Sequence, residues 1–152
     1  MGTTGATGVG TTGATGVGTT GATGPSLNPL TSDLNAANFN INNVKTLNYD
    51  QVVANGNSGA SPTINWSAGA IQSITLNAAT VTPTFTAPLG VTRLQIFLTQ
   101  DATGGRLVTW PASVKWVNHT PPTLSTAAGA TDIVTFTYDG TSYWGVLSPN
   151  FG

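Results

Sequence analysis

Few side chains in this sequence can do acid–base or metal chemistry. There is one histidine, His119, and the carboxylates are five aspartates (Asp33, Asp50, Asp101, Asp132 and Asp139), with no glutamate and no cysteine. A zinc site needs three or four ligands from Cys, His or carboxylate. His119 lies in the loop-like run Val117-Asn118-His119-Thr120-Pro121 with none at ligand spacing. It reads first as a structural or surface histidine, with contact to an external partner as the alternative. An enzyme built from this chain would have to work from aspartates and a tyrosine or two. Asp101 and Arg106 flank one turn and suit a cross-strand ion pair, while Asp132 and Asp139 read as strand-end and turn residues. The expectation is no catalytic residue, no metal site and no cofactor.

Six aromatic residues, Trp66, Trp110, Trp116, Tyr138, Tyr143 and Trp144, offer a different chemistry: flat faces on which sugar rings stack. The competing reading puts them in a core or a subunit interface, because strand aromatics bury large areas. Tyr143 and Trp144 are consecutive, so in a strand they point to opposite faces and at least one must face outward or into a neighbouring subunit. The triplets Asn65-Trp66-Ser67 and Asn118-His119-Thr120 match a glycosylation pattern that is common by chance.

Charge excludes other classes. Only 6% of the 152 residues are charged, with four basic side chains and a net charge of −1. No basic field is available to neutralise phosphates, so nucleic acid is not an expected partner. The apolar runs are far shorter than the roughly 20 residues that span a bilayer, so membrane insertion is not expected. The opening Met1-Gly2-Thr3-Thr4-Gly5-Ala6 lacks a basic stretch followed by an apolar run, and Ala6 breaks the myristoylation pattern. A protein acting outside the cell would then be made in the cytoplasm and released by lysis.

The elements that must position these residues fall into three segments. Residues 1–25 repeat an eight-residue unit, Gly2-Thr3-Thr4-Gly5-Ala6-Thr7-Gly8-Val9, which recurs from Gly10 and again from Gly18. Glycine falls at every third position within each unit: Gly2, Gly5 and Gly8; Gly10, Gly13 and Gly16; Gly18, Gly21 and Gly24. In a collagen-type triple helix only hydrogen fits at the shared axis, so this spacing predicts three chains and a stem reaching about 70 Å. Eight is not a multiple of three, so each Gly-Val-Gly step drops one residue from the frame. A flexible Gly/Thr tether and a β-type spiral remain as alternatives for this segment.

Residues 26–59 place Leu34, Phe39, Ile41, Val44, Leu47 and Tyr49 among asparagines with neither helical nor strand periodicity. One copy could not bury them, so this segment is expected to form an intertwined neck. Residues 60–152 read as β. Leu94, Ile96 and Leu98 alternate with Gln95, Phe97 and Thr99, and Val134, Phe136 and Tyr138 alternate with Ile133, Thr135 and Thr137. Threonine, β-branched and suited to strands, makes up about a fifth of the chain. Tyr138-Asp139-Gly140-Thr141 is a strong hairpin cue, and Asp101-Ala102-Thr103-Gly104-Gly105 suggests a second hairpin between Leu94–Gln100 and Arg106–Trp110. The expected fold is all-β: a collagen-like N-terminal stem, a short trimeric neck, and a C-terminal antiparallel β-sandwich head of jelly-roll type.

Pro29-Leu30-Thr31-Ser32-Asp33-Leu34, followed by Phe39-Asn40-Ile41-Asn42-Asn43-Val44, resembles a segment found in many bacteriophage tail-fibre and tail-collar proteins. Gly105-Arg106-Leu107-Val108-Thr109-Trp110-Pro111 through Val114-Lys115-Trp116 is similar to the β head domains of phage fibres. So is Pro122-Thr123-Leu124 through Thr131-Asp132-Ile133-Val134-Thr135-Phe136 and on to Tyr138-Asp139-Gly140-Thr141-Ser142-Tyr143. The glycine repeats look like collagen-like regions of phage fibres and of bacterial spore-surface glycoproteins. The resemblance implies a non-enzymatic homotrimeric fibre or spike on tail or capsid, joined to other virion proteins through its stem and attaching to host-surface glycans. Trp116, His119 and Tyr143 are the candidate receptor contacts. A spore- or cell-surface collagen-like glycoprotein is the alternative, and a glycan-degrading tail spike, for which no family motif is matched, a more distant one.

Overall fold

The computed structural model describes Lys45, Thr46, Asn48, Tyr49 and residues 51–152. The nine stem glycines and most of the neck segment lie outside the described residues. The C-terminal compact unit runs from Thr46 to Gly152, and its regular structure is almost entirely strand. In chain order the strands are β1 (Val53–Asn57), β2 (Thr63–Asn65), β3 (Ile71–Leu76), β4 (Thr80–Val81), β5 (Thr84–Thr86), β6 (Thr92–Gln100), β7 (Leu107–Val108), β8 (Val114–Trp116), β9 (Thr131–Tyr138) and β10 (Tyr143–Phe151). Among the described residues no helix is long and apolar enough to cross a membrane. The sheet takes in β1, upstream of residue 60, where the sequence places the start of the β domain.

Strict alternation builds the main strands. In β6, Leu94, Ile96, Leu98 and Gln100 are buried, and in β9 Asp132, Val134, Phe136 and Tyr138 are buried, with less buried residues between them. These strands sit in the middle of a six-stranded sheet of order β1-β3-β6-β9-β10-β8. Its inner face meets two short pairs, β2 with β5 and β4 with β7. Ile64 and Val81 from those pairs join Ile74, Leu94, Ile96, Val134 and Phe136 in one apolar cluster. Burial of each such aliphatic side chain is worth roughly 1.5–3 kcal/mol.

The all-β expectation holds, but the antiparallel one does not. Among the described residues five of the seven strand pairings are parallel, and only β6–β9 and β9–β10 are antiparallel. Parallel partners need a crossover rather than a tight turn. Here the chain supplies it by making one full circuit and then repeating it: β2, β3 and β4 lie beside β5, β6 and β7 respectively. The second hairpin is corrected for the same reason. After Gln100 the chain leaves the large sheet, and β7 pairs with β4 instead of β6. The turn itself forms as its residues suggest. Asp101 Oδ1 accepts the backbone N–H groups of Thr103 and Gly104, and Gly104 adopts a φ of +71°. A Cβ there would lie 2.5 Å from the carbonyl oxygen of Thr126, so glycine is needed for space as well as conformation. By contrast, the Asp139-Gly140 hairpin joins β9 and β10 as predicted, with Tyr138 opposite Tyr143.

Three buried polar side chains hold what the strand ladders do not. Gln72 donates to the carbonyls of Asn65 and Gly69 and accepts from Asn55. Gln100 donates to the carbonyls of Arg106 and Ser125 and accepts from the Arg106 N–H. Asp132 accepts the N–H groups of Ser125 and Asn150. Each is at most 3% exposed and makes bonds that offset its burial.

Candidate functional site

The edge strand β8 and the turn after it carry two adjoining grooves. β8 runs parallel to the start of β10, which sets Trp116 beside Gly145. A Cβ on Gly145 would fall 2.6 Å from Cζ3 of the Trp116 indole, so the missing side chain makes room for the ring. Trp110 meets Trp116 edge to face at 5.1 Å, and Phe136 backs it from the core at 6.1 Å. Trp116 Nε1 is enclosed yet meets no acceptor among the described residues. Gly145→Ala is expected to push the indole aside at a cost of about 1–3 kcal/mol. A shift in tryptophan emission together with a lower unfolding midpoint would show it.

Two grooves share Trp116 and Pro121. The larger, of about 520 Å³, is lined by Trp116, Val117, Asn118, Thr120 to Thr123 and Gly145 to Leu147. The smaller, of about 270 Å³, is lined by Trp110 to Ala112, Val114 to Trp116, His119 and Pro121. The ridge between them is strained. Asn118 and His119 both take left-handed backbone, with φ of 55° and 57°, a conformation that costs roughly 1–2 kcal/mol for a residue with a side chain. Strain of this kind gathers at binding sites. It presents His119 on the rim, fully outside the core.

Thus two of the three candidate contacts, Trp116 and His119, come together, whereas Tyr143 does not join them. Its ring is 3% exposed, packed 4.6 Å from Tyr138 and 5.0 Å from Phe85. Burial, and then the nearby Tyr138, raise its phenol above the usual tyrosine value. The opposite-face rule for Tyr143 and Trp144 operates with Tyr143 inward and Trp144 outward, the latter 55% exposed. Sequence reasoning gave no weight to the uncharged groove residues Val117, Asn118 and Thr123. The Asn-His-Thr-Pro-Pro run, a cluster of turn residues, was the available signal.

Among the described residues the carboxylates are occupied with structure. Asp101 holds Arg106 through two bonds, Nε to Oδ1 at 3.0 Å and a terminal nitrogen to Oδ2 at 2.7 Å. Asp139 accepts the N–H groups of Thr141 and Ser142 and the Trp144 indole N–H. The Arg106 guanidinium holds Asp101 below the usual carboxylate value, and the Ser142 N–H, followed by the Trp144 indole, does the same for Asp139. A carboxyl depressed on folding contributes stability above its unfolded-state value of about 3.9 and loses it as pH falls through the lower folded value. The unfolding midpoint should therefore hold from neutrality to about pH 5 and fall below about pH 4. Replacing both residues by asparagine should flatten that acid limb in a melting series. Among the described residues no group of three or more His, Cys, Asp or Glu could hold a metal ion.

Comparison with known families decides what this domain is. A family model described as "Putative phage tail fibre C-terminal domain" matches residues 60–143, more than half of the chain. The chain belongs to this family. It is a structural component of a phage tail fibre and hence of the virion. The match runs from the residues before β2 to the first residue of β10, so both grooves of this tail-fibre domain lie largely within it. Nothing among curated proteins or solved structures matches the chain.

Proposed function

We propose that this tail-fibre domain is the non-enzymatic head of a homotrimeric fibre, carried on a collagen-like stem and attaching to host-surface glycans through the Trp110–Trp116–His119 grooves. The observation that carries the reading is the ridge at Asn118 and His119. Two successive left-handed residues set Asn118 on the larger groove, with Thr120 and Thr123, and an exposed His119 imidazole on the smaller one, while the partly exposed Trp116 indole lines both. Aromatic faces beside amide and hydroxyl groups suit sugar rings, which present C–H faces and hydroxyl edges. None of the grooves described is lined by an aspartate, whereas glycoside hydrolysis needs a pair of carboxyls flanking the bond to be cut. That favours attachment over cleavage.

Presentation by three copies supplies the affinity. A weak contact at each head becomes tight when a shared stem raises the effective concentration of the other two. The test is binding of the fluorescently labelled full chain to host cells, before and after periodate oxidation of their glycans. His119→Asn removes the imidazole while keeping a residue that tolerates left-handed backbone. Trp116→Phe trims the indole but keeps an aromatic ring against Phe136. Each is expected to weaken cell binding about tenfold or more, equivalent to about 1.4 kcal/mol, and periodate should abolish binding by the unaltered chain. Undiminished binding by both variants would remove the grooves from the mechanism, and binding that survives periodate would remove the glycan.

A further inference from the structure

We propose that the groove at Trp66 is a second binding site, which takes the acetamido group of an N-acetylated sugar. It shares no residue with the grooves at Trp116. Trp66 follows β2 in a short helical turn, Trp66–Ala68. It lines a groove of about 340 Å³ together with Ser67, Ala70, Leu94 and the segment from Pro88 to Thr92. Small-ligand sites are of this size.

What marks the groove is a donor left over. The Trp66 side chain is 2% exposed, and its indole Nε1, shut off from water, meets no acceptor among the described residues. Buried polar groups are nearly always paired, because an unmade bond forfeits the hydration that burial removes. The oxygens of neighbouring residues are engaged elsewhere. The carbonyls of Asn65 and Gly69 accept from Gln72 Nε2 at 2.7 and 2.9 Å. That of Ala70 accepts the Gln95 N–H at 2.8 Å, and that of Ala87 accepts the Ser67 hydroxyl at 3.0 Å. The Asn65 side-chain oxygen takes the Ser67 N–H. Phe85 and Phe136 pack edge to face on the Trp66 ring at 5.6 and 5.9 Å, so the indole is held in the core and its acceptor must come to it.

The lining defines the chemistry of that acceptor. None of the groove residues carries a charge, so a carboxylate or ammonium group would find no counter-ion there. Ala70, Pro88, Leu89, Val91 and Leu94 supply apolar surface, and Leu89 and Val91 are left 99% and 72% exposed. Ser67 Oγ, whose proton is committed to Ala87, keeps lone pairs that can accept. One donor, one acceptor and an apolar wall match a secondary amide that ends in a methyl group. Its carbonyl oxygen takes the indole N–H, its N–H turns to Ser67 Oγ, and its methyl group lies on the apolar lining. The acetamido arm of N-acetylglucosamine is such a group on an uncharged carrier, whereas glucose has neither the amide nor the methyl. Entry needs only the Leu89-Gly90 tip to yield, where Leu89 stands outside the core and the space beside Gly90 is open.

The test uses the purified full chain and free sugars, so its outcome does not depend on whether the Trp116 grooves attach to cells. In isotope-labelled protein each of the four tryptophans gives one indole N–H signal by NMR. Trp66→Phe identifies the Trp66 signal by its loss or, should that variant not fold, nuclear Overhauser contacts to Phe85 identify it. Titration with N-acetylglucosamine into the millimolar range is expected to move this signal and to slow its exchange with water at least about tenfold. Glucose and glucosamine should leave it in place. Leu89→Asp sets a charge on the apolar rim without touching the core and should weaken the N-acetylglucosamine effect about tenfold. An equal shift with glucose or glucosamine would overturn the acetamido site, and so would no shift with any of the three sugars. An indole N–H already slow to exchange and unmoved by all three would mean that water or another stretch of the chain fills the groove, which overturns it too.

Discussion

Phe136→Ala is expected to cost the β domain about 3–5 kcal/mol, the range for removing a fully enclosed aromatic ring. Phe136 is 0% exposed, and its ring is the hub of the aromatic core. Edge-to-face contacts reach Trp66 and Trp110 at 5.9 Å, Phe85 at 5.8 Å and Tyr143 at 6.0 Å. Its neighbours come from the small strand pairs, from β10 and from the groove, so the cavity left by alanine would open against rigid rings that cannot collapse into it. Poor collapse places the cost at the upper end of the range. For a domain of this size the unfolding midpoint should drop by on the order of 15–25 °C. Phe136→Leu, which fills more of the volume, should lose much less. Chemical denaturation of the two variants side by side checks both values, and a loss under about 1 kcal/mol for alanine would show that the ring is not central to the core.

That hub was half visible in the amino-acid order. The alternation Val134, Phe136, Tyr138 marks one buried face of a strand, and Asp139-Gly140 marks where the strand turns back. Both follow from local rules: period-two burial and a turn pair tolerant of unusual backbone. What remained hidden is non-local. The repeated circuit of the chain leaves no fixed period, because equivalent strands sit 21, 24 and 27 residues apart, as Thr63 to Thr84, Ile71 to Gln95 and Thr80 to Leu107 show. A stack whose loops lengthen from strand to strand escapes any search for a constant repeat. With no repeat to suggest parallel pairing, the glycine-rich turn after Gln100 looked like a hairpin.

The site was legible in the same partial way. Trp116 and His119 stand out by residue type, but nothing in the order of residues says that Gly145, far along the chain, clears the space for Trp116. Tyr143 and Trp144 are equal in sequence as ring-bearing neighbours. Only the register with β9 decides which turns inward, and it sends Tyr143 to the core. Buried Gln72, Gln100 and Asp132 are the least readable, since polar residues in strands normally signal the solvent face.

Asp132→Ala tests whether those hidden polar groups matter to the groove. Asp132 is 2% exposed, and its two oxygens accept the N–H groups of Ser125 and Asn150 at 2.7 and 2.8 Å. Gln100 takes the carbonyl of the same Ser125 at 2.8 Å. The peptide at Ser125 is therefore held from both sides by side chains, in the stretch between Pro121 and Ala130 that has no strand of its own. Pro121, Pro122 and Thr123 of that stretch line the larger groove. Ser125 is half-buried and Asn150 exposed, so alanine would leave two donors that water reaches in part, and a total loss of about 1–3 kcal/mol is expected. Asp132→Asn keeps one acceptor oxygen but turns an amide N–H toward the other donor, and should lose nearly as much. The signature that separates this clamp from general core damage is local. Hydrogen exchange at the Ser125 and Asn150 amides should accelerate before the β6 and β9 amides do, and binding to host cells should weaken at temperatures where the sheet is still folded. Uniform acceleration across the domain would mean that Asp132 supports the core alone and that the groove does not depend on it.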